Sequence, residues 1–115
     1  SIRLPHEEIG AIMAREWLKE QYPEQAVDSI TRAILKEADS AHGRLLHDAD
    51  KLDKIGATGI VRRFSGNPAP GYLPVALRKL RDDLRHFPAM YFPTSERLAA
   101  LKKSFTREFL LSVTE

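Results

Sequence analysis

The residues best suited by type to do chemistry lie in one stretch, His47-Asp48-Ala49-Asp50-Lys51-Leu52-Asp53-Lys54-Ile55-Gly56-Ala57-Thr58-Gly59-Ile60, where carboxylates stand among apolar residues and two glycines follow. At about 100° per residue, Leu45, Leu46, Ala49, Leu52 and Ile55 share a broad arc, with Asp48 and Asp53 inside it and Asp50 at its edge. Lys51, Lys54 and His47 take the remaining face. An ionised carboxylate among apolar groups needs a hydrogen bond, a cation or a metal. Asp50 and Asp53 lie on neighbouring sides of the helix and can serve one site, whereas Asp48 points away from both. The other use for Asp48 and Asp53 is structural: pairing with basic side chains or capping a helix.

The chain has 115 residues, enough for one domain with a core but short for a complete enzyme with a deep pocket. A net charge of +2 comes from 18 basic and 16 acidic residues, so composition alone announces no nucleic-acid partner. Cysteine is absent, which excludes a disulfide framework and a thiolate nucleophile and leaves His, Asp and Glu as metal ligands. No apolar run reaches membrane-spanning length, and the start Ser1-Ile2-Arg3-Leu4-Pro5 is neither a signal nor a transit peptide, so a cytoplasmic protein without membrane contact is expected. The abrupt start, without Met and close to a helix, leads to an expectation of further sequence upstream.

Helices must position these residues. Pro5 opens the first, with Ile9, Ile12, Met13 and Trp17 at helical spacing up to Gln21. Pro23 opens the second, with a stripe of Val27, Ile30, Ile34 and Ala38, and Ser40-Ala41-His42-Gly43 reads as the connection out of it. A third holds the acidic segment, and Gly56 and Gly59 bend the chain or allow close backbone packing. A Pro/Gly loop is expected over 65–73. Val75, Leu77, Leu80, Leu84 and Phe87 form the next stripe, and Pro93-Thr94-Ser95-Glu96 starts a long last helix. There Leu98, Leu101, Phe105 and Phe109 make the docking face, with Lys102 and Lys103 toward solvent. No strand alternation and no internal repeat occurs, so the fold is all-α, a bundle of about five helices in a single domain over 1–115.

The run Asp48-Ala49-Asp50-Lys51-Leu52-Asp53-Lys54-Ile55-Gly56-Ala57-Thr58-Gly59-Ile60-Val61-Arg62-Arg63-Phe64 resembles the last metal-ligand region of HD-domain phosphohydrolases, which one branch of that family writes D-A-D-R-L-D-x-x-G-A-x-G-I-x-R-x-F. Pro5-His6-Glu7-Glu8-Ile9-Gly10-Ala11 is similar to the helix start that follows the family's His-Asp doublet. Thr94-Ser95-Glu96-Arg97-Leu98-Ala99, with Phe105, Phe109 and Leu110, resembles the branch's closing helix. The likeness spans the chain but only the later, C-terminal part of the family's domain.

The resemblance implies a divalent metal (Mn, Mg, Fe, Zn, Co or Ni, not distinguished) that activates water against a phosphate ester such as a nucleotide. It matches Asp50 to the final metal ligand and His6 to a family histidine with a possible metal role. Asp53 is then the catalytic-site residue that orients the metal centre, and Arg62 steadies substrate phosphate or pairs with Asp50 or Asp53. His47-Asp48 spells the doublet literally, but the Leu-Asp-x-x-Gly-Ala continuation belongs to the final ligand, so His47 is expected at the surface and Asp48 in a structural role. The first His and the His-Asp doublet would come from an upstream segment or a second chain, and without them the chain is expected to be inactive. Homo-oligomerisation is open.

Thr31, Arg32 and Glu37 stand where some relatives carry histidines. This motivates a second expectation, a non-catalytic HD fold kept for protein interaction. Arg62-Arg63, Arg78-Lys79-Arg81 and Lys102-Lys103 motivate a third, a small basic nucleic-acid-binding helical module.

Overall fold

The computed structural model describes residues 5–65 and 72–114, and those residues form six α-helices without strands. The all-α expectation holds, with one helix more than the sequence pattern gives. The chain divides into two compact units, Ser1–His47 and Asp48–Glu115.

In the first unit, α1 (His6–Leu18) opens after Pro5, whose fixed φ suits a helix start, with Glu7 and Glu8 in the dipole-favoured first turn. Helix α2 (Glu24–Ile34) opens after Pro23. Apolar spacing carries α2 on to Ala38, but Lys36 adopts a left-handed conformation (φ 55°) and the Glu37 N–H closes back onto the Arg32 carbonyl at 3.2 Å. That closure is a Schellman-type stop, and it ends the helix at Ile34.

Helices α1 and α2 pack together, with Ala11, Val27 and Thr31 buried. Ile9, Ile12, Met13 and Trp17, the stripe expected to face a core, are exposed, Trp17 to 68%. Small residues explain the difference: Gly10 and Ala11 let the helix backbones approach, and the bulky side chains flank the contact. Helix α3 (Ala41–Leu52) starts where the sequence suggests a connection, because the Ser40 hydroxyl accepts the Gly43 N–H at 3.1 Å and caps it. Its last turn, from Asp48, belongs to the second unit.

The second unit adds α4 (Gly56–Phe64), α5 (Tyr72–Arg85) and α6 (Pro93–Thr114), which pack pairwise around Ile55, Ala76, Leu80, Ala99 and Thr106. The expected loop over 65–73 is shorter at its far end, since Tyr72 and Leu73 are helical; 66–71 lie outside the described residues. Phe64 and Phe109 meet edge to face with centroids 5.9 Å apart.

Helix α6 turns a different side to its neighbours than its apolar stripe suggests. Leu98, Leu101 and Phe105 are exposed, Leu101 to 71%, while Ser95, Ala99, Thr106 and Leu110 are buried. Lys102 and Lys103 are half-buried, not solvated. The Lys102 ammonium donates to the Leu52 carbonyl at 3.0 Å, at the C-terminus of α3, and Lys103 lies 4.8 Å from the centre of the Phe87 ring. The small residues set the contact, and the long lysine stems reach over its edge.

Candidate functional site

The acidic segment is divided by the end of a helix. The 100° wheel holds only as far as Leu52, where α3 stops, so Asp53 lies in the turn to α4 and is exposed instead of joining an apolar arc. Leu45, Leu46 and Ala49 of that arc are exposed as well; Ile55 alone is fully buried.

Asp48 is 1% exposed. Its carboxylate accepts the Tyr91 N–H at 3.0 Å to each oxygen and the Phe92 N–H at 3.1 Å. Both donors precede Pro93, the first residue of α6, so Asp48 caps the entry to that helix where its dipole favours an anion. The structural role expected for Asp48 is thus observed. His47 is half-buried, less open than a surface residue.

Two glycines fix the turn that follows. Gly56 takes φ +72°, and its N–H donates to the Thr106 hydroxyl at 2.8 Å, which in turn donates to the Lys102 carbonyl at 3.0 Å. A Cβ on Gly56 would also come within 2.9 Å of the Lys102 side chain. At Gly59 a Cβ would overlap the backbone carbonyl of Lys54. Close backbone packing is therefore the use of Gly59, while Gly56 supplies the left-handed turn.

This turn and the end of α4 enclose a cleft of about 330 Å³ lined by Lys54, Gly59, Arg62 and Arg63. No carboxylate lines it. Arg63 is held by Asp83 through a two-pronged ion pair with contacts of 2.7 and 2.9 Å, and its carbonyl accepts the Tyr72 hydroxyl at 2.5 Å. Arg62 and Lys54 have no carboxylate within 4.0 Å among the described residues. Arg62 therefore pairs with neither Asp50 nor Asp53. Lys54 and the Arg63–Asp83 pair escaped sequence reasoning; the adjacent arginines closing an apolar helix were the only signal.

Asp50 is half-buried, with the Lys51 ammonium 3.9 Å away. His6 belongs to the other unit, where it begins α1 with its side chain 90% exposed and Nε2 3.1 Å from the Glu7 carboxylate. Glu7 is held below its ordinary value of 4.5, first by a hydrogen bond at its own backbone N–H and then by His6 and Lys36, against the opposing effect of desolvation. Thr31, Arg32 and Glu37 are tied into a polar network. Arg15 donates to Thr31 at 3.2 Å, and Arg32 binds Glu37 and Asp39, each at 2.7 Å. Arg32 is thereby raised above its ordinary value, chiefly by the hydrogen bond to Glu37.

Among the described residues no three His, Asp or Glu side chains form a group able to hold a metal ion. The donor set present here therefore does not fit a metal centre on its own, with Asp50 as a single carboxylate. No protein-family model, curated protein or solved structure matches this chain. No helix among the described residues is long and apolar enough to cross a membrane.

Proposed function

We propose that this chain is the phosphate-binding part of an HD-type metal-dependent phosphohydrolase that cleaves a phosphate ester such as a nucleotide. Lys54 and Arg62 bind the phosphate, Arg63 shapes the cleft from its fixed position against Asp83, and Asp50 is one ligand of a metal completed by a second segment or chain. Asp53, exposed in the turn before Lys54, is the proposed residue that orients the metal ligand. The cleft carries the proposal: Lys54 and Arg62 line it without a carboxylate within 4.0 Å among the described residues, while the charge of Arg63 is already met by Asp83. Phosphate oxygens are strong acceptors for guanidinium donors, and two cations left over in one cleft raise the local concentration of an anion.

Calorimetry with inorganic pyrophosphate tests this. The chain should bind it weakly, and K54A/R62A should lower the affinity about tenfold or more, as expected for losing charged hydrogen bonds. Manganese alone should bind weakly, and the isolated chain should not hydrolyse a phosphomonoester. Tight stoichiometric manganese binding with phosphatase activity would overturn the division of ligands between segments. Pyrophosphate binding that is absent, or unchanged in K54A/R62A, would overturn the phosphate site itself.

The nearness of Lys51 to Asp50 favours a second reading, a non-catalytic HD fold serving interaction. In that case pyrophosphate affinity is unaffected by manganese and by D50N. The nucleic-acid alternative has less support, since Lys102 and Lys103 are engaged within the fold.

A further inference from the structure

A second cleft of about 330 Å³ lies between α5 and α6, lined by Arg81, Leu84, Arg107, Leu110 and Leu111. Arg81 and Leu84 are three residues apart on α5, and Arg107, Leu110 and Leu111 are spaced i, i+3 and i+4 on α6, so each helix presents leucine and arginine on one face. The three leucines make an apolar floor, with Leu110 buried and Leu111 largely exposed. The two arginines come from different helices, Arg81 from α5 and Arg107 from α6. Neither has a carboxylate within 4.0 Å among the described residues, and no acidic side chain lines the groove.

A groove at the lower end of the about 300–1,000 Å³ range of small-molecule sites, with Leu111 and both arginines exposed, suits a short segment laid across it better than an enclosed ligand. Its chemistry sets what that segment must carry. An apolar stripe has to cover the leucines, and carboxylates on both flanks have to meet the arginines, which are forked donors matched to carboxylate geometry. An amphipathic helix with leucine-like residues at i, i+3, i+4 and i+7 and acids on either side meets both demands.

We infer that the α5–α6 groove is a docking site for an acidic amphipathic helix of a partner protein, held by Leu84, Leu110 and Leu111 at its floor and by Arg81 of α5 and Arg107 of α6. This site is separate from the basic cleft at Lys54 and Arg62 and shares no residue with it.

Fluorescence anisotropy of a labelled helical peptide with that leucine spacing and glutamates on both flanks tests the inference, with a lysine-for-glutamate version as control. The glutamate peptide should bind and the lysine peptide should not. R81E/R107E replaces two attractions by two repulsions between exposed groups, so the dissociation constant should rise by about tenfold or more. L111S, at an exposed position, should weaken binding while leaving helicity and melting temperature unchanged. The inference is overturned if the glutamate peptide fails to bind, if both peptides bind alike, or if R81E/R107E binds as well as the parent. It is equally overturned if decanoate occupies the groove and the peptide does not, or if the chain self-associates in sedimentation and L111S restores the monomer.

Discussion

Replacing Asp48 removes the acceptor for two backbone donors 43 and 44 residues away, at the entry to α6. A hydrogen bond to a charged acceptor contributes about 1.5–3 kcal/mol, and an orphaned buried donor costs about 1–3 kcal/mol. Tyr91 is partly exposed, so water can recover part of its N–H, whereas Phe92 is half-buried and recovers less. D48A should therefore destabilise the second unit by about 2–4 kcal/mol, a large share of the about 5–15 kcal/mol stability of a typical domain. D48N is the informative partner. Its single carbonyl oxygen, set where Oδ2 now accepts both N–H groups, keeps those bonds but loses the charge and turns an NH₂ toward Tyr91, for a loss of about 1–2 kcal/mol.

Urea unfolding followed by far-ultraviolet circular dichroism measures both. D48A should lower the midpoint by roughly 1–3 M without changing the slope, and D48N by clearly less. Hydrogen exchange at the Tyr91 and Phe92 amides should accelerate in D48A ahead of the core amides. A D48A loss under about 1 kcal/mol, or equal losses in the two variants, would refute the capping role, because neither outcome fits two N–H donors bound to this carboxylate.

Gly59 and Gly10 should respond to alanine with opposite signs. A Cβ at Gly59 overlaps the Lys54 carbonyl, so G59A should destabilise by about 1–3 kcal/mol. At Gly10 the Cβ meets only the Ile34 methyl at an ordinary 3.5 Å, so G10A should gain about 0.5–1 kcal/mol of helix propensity; thermal melts compare the two, and a stabilised G59A refutes the overlap. Glu7 should titrate with a midpoint below 4.5 in carbon-detected NMR. Because the folded-state value is depressed, its contribution is complete above the unfolded value and is lost as pH falls through the folded one. A midpoint at or above 4.5 would rule out the stabilised carboxylate.

What the sequence conveyed and what it withheld divide along physical lines. Helical periodicity, with Pro5, Pro23 and Pro93 at helix starts, is local information, and it was sufficient for an all-α fold and for these three starts, but not for the end of α2 or the starts of α3 and α5. Which face of a helix is covered depends on the partner, and there the small residues Ala11, Ala99 and Thr106 prevailed over Trp17 and Leu101. A stripe of large apolar residues marks what favours burial, but closest approach is set by what fits between two backbones. The same limit hid the Arg63–Asp83 pair, whose members are 20 residues apart, and Lys102, which fastens α6 to the turn.

The acidic segment shows how one spacing yields two fates. Asp48 and Asp50 are two residues apart on a helix, about 200° around its axis, so they cannot serve the same side. Once Asp48 is committed to the entry of α6, Asp50 is directed elsewhere, half-buried and close to Lys51. Any chemistry in this pair must therefore fall to Asp50, and the effects of changing the two residues must separate. Loss of Asp48 acts on the fold whatever ligand is present. Loss of Asp50, on the proposed function, acts on metal binding and leaves the carboxylate of Asp48 in place on the two N–H groups at the entry of α6.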